Sequence, residues 1–511
     1  MHSSPGRAAA IALALLPGAG LAQETAPPLS AIDWLNQPGA AQSTPGRPIS
    51  EPPVAGEVNI PSVETTPLAD ATSGAVGLLP PSVTGLPATL WAQSGAEDLT
   101  ALWQSATQQP PPAIMALYHS LLLAEAEPPH GRESAYLRTR VDMLRRFGAV
   151  EPAMELLARA GPETPGIFPA WFDLALLAGS ETEACTALQA SPGLMAGDAA
   201  RIYCAALTGD WATAALMYDT GAALGTIKGS ESALLAQFLD PELAEEAPVP
   251  VPSSAPSPLE FRLFDGIGSP LPTRGLPLAF AMSDLRGTIG WKAEIEAAER
   301  LTRAGALAPN RLMGLYTRQD ASASGGVWDR VSAIQELETA LAAGNAARIG
   351  TALENAWDQM RSEGLEVPFA ELFAERVRDA ELPDRLHALA FQMALLTPDY
   401  EAATERVPDG RAMTFLAGLA RGRPDAALAE SPAESMIAAA FGQPPEAAPE
   451  HAYLIRQGKL GEAILSAALQ FDRADGDPGE MASALRTLRA VGLEDAARRA
   501  ALQALILGTP A

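Results

Sequence analysis

The sequence predicts an all-α protein, an irregular α-solenoid of helical hairpins preceded by a disordered Pro-rich arm. Three observations carry that expectation. Hydrophobic residues make up 48% of the 511 residues and aromatics only 5%. The apolar content is therefore largely alanine, which has the highest helix propensity and lets helices pack closely. Beyond residue 95, apolar residues recur at helical spacing in runs that end at glycine. β-Branched residues seldom alternate with polar ones, so no strand pattern emerges.

Residues 1–22 read as a secretory signal. His2 and Arg7 lie in a short polar start, Ala8 to Leu16 form an uncharged apolar run, and Pro17-Gly18 break it. Gly20-Leu21-Ala22 then offers small residues for cleavage after Ala22. The apolar run is about half the ~20 residues that span a bilayer, so no stable membrane insertion is expected after cleavage. The expected location is the periplasm, with secretion beyond it as the alternative.

Residues 23–88 are rich in Pro, Thr, Ala and Ser and lack helical periodicity, the composition of an arm that cannot bury enough apolar surface to fold. Two apolar islands interrupt it. Trp34, within Ala31-Ile32-Asp33-Trp34-Leu35, is a candidate for docking into a partner groove or for folding back on the helical body. The second island runs from Val76 to Leu86.

Residues 95–244 form an N-terminal helical-hairpin region. Pro112 to Ala126 predicts a helix entered by a proline, with Ile114, Leu117, Tyr118, Leu121 and Leu122 on one face. Arg132 to Phe147 predicts the next, ended by Gly148. Residues 245–258 read as a Pro-rich linker, and residues 259–511 as a C-terminal helical-repeat region. The two cysteines, Cys185 and Cys204, sit on consecutive expected helices, Thr182 to Ala190 and Ala199 to Leu207. In an antiparallel hairpin they come together as a disulfide, which an exported chain permits; two buried thiols are the other reading.

One pattern recurs. A helix ends in glycine and a small residue follows five positions later: Gly148 with Ala153, Gly209 with Ala214, Gly422 with Ala427, Gly458 with Ala463, Gly492 with Ala497, and Gly344 with Ile349 in the small position. Glycine permits the left-handed cap, and the alanine lets the second helix approach the first. These residues resemble the turn and second helix of tetratricopeptide repeats, paired-helix units of about 34 residues. The last three glycines, 422, 458 and 492, are spaced near that period.

Gly77-Leu78-Leu79-Pro80-Pro81 through Pro87, Thr288-Ile289-Gly290-Trp291-Lys292 through Leu301, and Ala323 through Arg330 resemble an uncharacterised family of exported alphaproteobacterial proteins, sometimes labelled antifreeze-glycopeptide-related. The tandem Ala-Ala-Thr units which that label denotes are absent from this sequence. The resemblance implies export and a helical build and supplies no function.

A net charge of -26 repels phosphate backbones and anionic lipids, so nucleic acid is excluded as the main partner. His119, His130, His387 and His451 are scattered, and no metal or cofactor motif, Gly-rich phosphate loop or Gly-x-Ser-x-Gly elbow is present. No catalytic residue and no cofactor is expected. Glu294, Glu296 and Glu299 read as a solvated helix face. Trp291, Arg311, Tyr316 and Trp328 concentrate unusual side chains, either as anchors of a partner-binding groove or as core plugs among alanines. The function these features predict is a periplasmic, non-enzymatic scaffold that binds envelope proteins. The alternative is a peptidoglycan-active enzyme or wall-binding protein with a helical superhelix, similar in outline to lytic transglycosylases. Its Glu-Ser signature pair occurs at Glu133-Ser134, Glu231-Ser232 and Glu430-Ser431, in each case without the surrounding aromatic context. A two-lobed ligand carrier would need strands that the pattern lacks.

Overall fold

A computed structural model describes residues 75–508 apart from 132 and 196. The signal segment, Trp34 and most of the arm therefore lie outside the described residues. Those described form 26 α-helical segments with short 3₁₀ turns and, beyond two isolated backbone bridges, no strand. The chain is all-α.

The repeated glycines do what their positions require. Gly148, Gly209, Gly458 and Gly492 have φ of 79°, 87°, 75° and 88°. In each turn the next residue's N–H reaches back to the last helical turn, as in Ala149 to the Leu144 carbonyl and Lys459 to the Leu454 carbonyl. Ala153, Ala214, Ala463 and Ala497 are then fully buried against the preceding helix. The Gly422 turn closes in the same way, but no helix follows directly, and Ala427 lies exposed in the 3₁₀ turn Ala426–Leu428. Pro424 disfavours a helical Arg423, and Ser431 with Glu434 forms a complete capping box ahead of Pro432, so the helix starts there instead.

The arm ends earlier than its composition implies. Residues 75–88 lie on the body, which corrects the boundary at residue 88. Leu78 and Leu79 donate to the Leu123 carbonyl, and Glu125 donates back to Leu79. This pairing also ends the helix Pro112–Leu123 before Ala126. The buried Arg140 guanidinium donates to the carbonyls of Val76, Leu122 and Ala124 at 2.6, 2.7 and 3.1 Å. A Cβ at Gly77 would sit 2.2 Å from the Glu125 backbone, so only glycine allows this approach. Neither a long-range arginine clamp nor a close backbone contact leaves a periodic trace.

The Pro-rich segment 245–258 straps one compact body together rather than separating two. Helices on either side of it, Gly229–Leu239 and Pro258–Gly266, pack on each other, and Pro258–Gly266 also packs on Phe168–Ala178. The strap is held by Gln237 donating to the Pro248 carbonyl and by Ser253 donating through both N–H and Oγ to the Glu260 carboxylate.

Successive helices touch as in a solenoid, yet the ends also meet. Ala96–Gln104 and Pro112–Leu123 pack against Leu460–Asp472, and Pro112–Leu123 also packs against Glu494–Leu507. An open array, in which each unit contacts only its neighbours, lacks such contacts. Asp472 accepts from the Thr107 N–H at 2.8 Å and the Tyr118 hydroxyl at 3.0 Å. Gln503 accepts from the Ala113 N–H at 2.7 Å. Gly461 donates to the Leu90 carbonyl, with the Trp91 ring 2.5 Å from where a Cβ would be.

Cys185 and Cys204 are joined, with their Cα atoms 5.0 Å apart, between the helices Glu181–Ala190 and Ala199–Leu207. Both are fully buried. Replacing both by alanine is expected to cost about 3 kcal/mol for a loop of this size. Denaturant titration should show this loss, and the wild type should resist reductant until it unfolds.

His119 packs its ring against Phe147, and its Nε2 is out of water with no hydrogen-bond partner. Burial pulls its pKa from 6.5 down to about 4. The unfolded chain therefore binds this proton more readily, and stability is lost as pH falls from 6.5 towards about 4. Against a His119→Leu variant, the wild type should lose about 3 kcal/mol over that window. A pH-independent difference in melting temperature between the two proteins would contradict this.

Candidate interaction surfaces

Of the described residues singled out by sequence, Arg311 stands apart from the other three. Trp291 begins the helix Trp291–Arg303 and is buried, with its Nε1 donating to the Leu315 carbonyl at 3.0 Å. The half-buried Trp328 ring lies 5.0 Å from it, centroid to centroid. Tyr316 is fully buried and donates its hydroxyl to Glu299 at 2.7 Å. Arg330 grips both Glu299 oxygens at 2.7 Å and also pairs with Glu363, which in turn meets Arg303. Arg311 does not join them. It is exposed and faces Glu151 at 3.1 Å. Tyr316 thus joins a buried ion network, and the Trp291 ring packs on Trp328.

This network corrects one reading. Glu294 and Glu299 are not on a solvated face: they are 6% and 3% exposed, held by Arg318 and Arg330 respectively. Glu296 is partly exposed and pairs with Arg274 and Lys292. Arg330 lies beyond the helix that carries these carboxylates, so helical periodicity could not reveal the pairing. Burial, and then the adjacent Glu299 carboxylate, push the Tyr316 pKa far up, so it stays a neutral donor. For Arg330 burial opposes the charge, but Glu299 and Glu363 outweigh it and raise its pKa.

Of the described histidines, His119 and His451 are packed inside the body, whereas His130 and His387 are exposed. His451 Nδ1 is 2.8 Å from the Thr487 hydroxyl, and the His130 carbonyl accepts from the Ala96 N–H. Among the described residues no three His, Cys, Asp or Glu side chains are placed to hold a metal ion. Two open clefts of about 380 and 370 Å³ lie in the C-terminal third. Met436, Gln443, Pro444, Ser483 and Arg486 contribute to the first, and Thr414, Arg421, Arg423 and Asp425 to the second. Ser483 donates to the Glu450 carboxylate, which this hydrogen bond holds below its ordinary pKa.

The most unusual surface is the helix Trp211–Leu224. Its sequence, WATAALMYDTGAAL, has one charged side chain, Asp219. Only Ala214 and Gly221 are buried, while Trp211, Leu216 and Leu224 are 48%, 67% and 74% exposed. A solvent-facing helix normally carries a charged or polar stripe. Gly209 and Ala214 mark a repeat turn in the sequence, and the near absence of charge along the helix that follows is the sequence signal of this surface. Beneath it, the disulfide ties Ala199–Leu207 to Glu181–Ala190, and the Trp211 ring lies 6.1 Å, centroid to centroid, from Phe238.

No protein-family model, curated protein or solved structure matches the chain.

Two arginines distinguish a buried ion pair from a surface one. Arg330→Ala leaves Glu299 buried without a cation and should lower unfolding stability by about 3–5 kcal/mol. Arg311→Ala breaks a surface pair and should change it by less than about 1 kcal/mol. Urea denaturation of both variants checks this, and equal effects would contradict the assignment.

Proposed function

We propose that the protein is a non-enzymatic scaffold of the cell envelope, acting in the periplasm and holding segments of other envelope proteins. The exposed, nearly uncharged helix Trp211–Leu224 carries this reading. A helix that exposes Trp211, Leu216 and Leu224 and carries a single charge stands out on a protein of net charge -26 and supports an interaction surface. The buried disulfide supports an oxidising, exported location. No described helix is long and apolar enough to cross a membrane. A body whose first and last helices pack together, with one hairpin disulfide-linked, supports a platform role.

The test is crosslinking of the tagged, full-length protein in living cells of its natural host, followed by mass spectrometry. The expected result is reproducible capture of one envelope complex, reduced by Leu216→Glu. Enrichment of glycan fragments with no captured protein would overturn the scaffold reading in favour of a wall-active protein.

A further inference from the structure

The helix Trp211–Leu224 has two unlike sides. Its inner stripe, Ala214, Met217, Tyr218 and Gly221, faces the body, and a Cβ at Gly221 would meet the Ile227 side chain at 2.6 Å. The opposite stripe, Ala212, Leu216, Asp219 and Ala223, is exposed along its whole length. Its spacing of four, three and four residues is that of a coiled-coil seam. Alanines in such a seam let a second helix come close, and a single polar residue within it fixes register and partner. Ala215, Thr220 and Ala222 beside it are also exposed and uncharged.

Charge decides which occupant fits. An acidic segment is disfavoured by the net charge of -26 and by Asp219 at the seam. A second copy, pairing antiparallel through the same stripe about a two-fold axis at the helix midpoint, would bring two Asp219 carboxylates within about one helical turn of each other. Two like charges in an apolar contact are strongly unfavourable. A helix bearing a cation at that level instead meets Asp219 with an opposite charge.

We propose that the outer face of Trp211–Leu224 docks an amphipathic helix of an envelope protein, with small and aliphatic residues along its stripe and a Lys or Arg opposite Asp219. This rests on the scaffold reading and gives it a partner chemistry. A seam of two heptads covers less than the ~800 Å² per partner of a stable complex, so micromolar, exchangeable binding is expected.

The probe is a fluorescent synthetic amphipathic helix with Leu and Ala at its seam positions and one Lys at its central seam position, titrated by anisotropy against the full-length, disulfide-bonded protein. A second peptide carries Glu in place of that Lys. The Lys peptide should bind about tenfold more tightly than the Glu peptide. Asp219→Lys should reverse the preference, and Leu216→Glu should abolish binding of both. Both side chains face solvent, so melting curves of the variants should match the wild type and exclude misfolding as the cause. Absence of saturable binding, or a preference that Asp219→Lys leaves unchanged, would overturn the proposal. A photo-crosslinkable residue placed in cells at Leu216, Val83 or Tyr453 separates this failure from failure of the scaffold reading. Protein adducts at Val83 or Tyr453 with none at Leu216 remove the docking helix and leave the scaffold. A Leu216 adduct between two copies of the chain overturns the proposed partner. No protein adduct at any of the three removes both.

Discussion

Asp472 receives the Thr107 N–H and the Tyr118 hydroxyl across a sequence separation of more than 350 residues. Beside it Gln503 receives the Ala113 N–H, and Gly461 admits the Trp91 ring. These contacts tie the last hairpins to the first helices, and the surrounding geometry depends on them. Because the ends meet, the helices at either end have their apolar faces covered without the polar capping repeats that an open array requires. The closure also fixes where the first helices sit, and through Arg140 it fixes the segment 75–79 laid on them.

Alanine-rich helices pack closely but offer little shape by which one arrangement differs from another. Buried charge supplies part of that distinction. Glu181 meets Arg262 and Arg286 from beyond the Pro-rich strap, and Glu299 meets Arg330 on a later helix. Such pairs contribute little net stability, but any packing that separates the partners leaves a buried charge uncompensated and costs several kcal/mol. The Glu181 cluster sits one helical turn from Cys185, so the disulfide-linked hairpin is held both covalently and electrostatically. The exposed outer face of Trp211–Leu224 is built on that hairpin. A docking surface gains from such a base, because a preorganised platform loses less freedom on binding.

The local features were legible in the sequence. Helicity follows from alanine content and apolar spacing. The turns follow from glycines whose left-handed conformation ends a helix, at Gly148, Gly209, Gly458 and Gly492. The cysteine pair follows from two short helices joined by Ser191-Pro192-Gly193. All of these are set by interactions between residues near one another in the chain. The Gly422 unit departed from the pattern for an equally local reason, a stronger cap at Ser431.

The tertiary structure set what no local pattern could. Glu294 and Glu299 looked like surface carboxylates until arginines from other helices covered them. Residues 75–88 looked like the end of an arm until Arg140 and the Leu123 carbonyl held their backbone. Trp291, Tyr316 and Arg311 seemed to be one group, yet helix rotation buries two of them and turns Arg311 outward. Burial is decided by which helices meet, and those meetings join residues separated by tens to hundreds of positions. The sequence therefore determined the helices, their caps and the disulfide, while packing alone decided which faces were covered and left Trp211–Leu224 open.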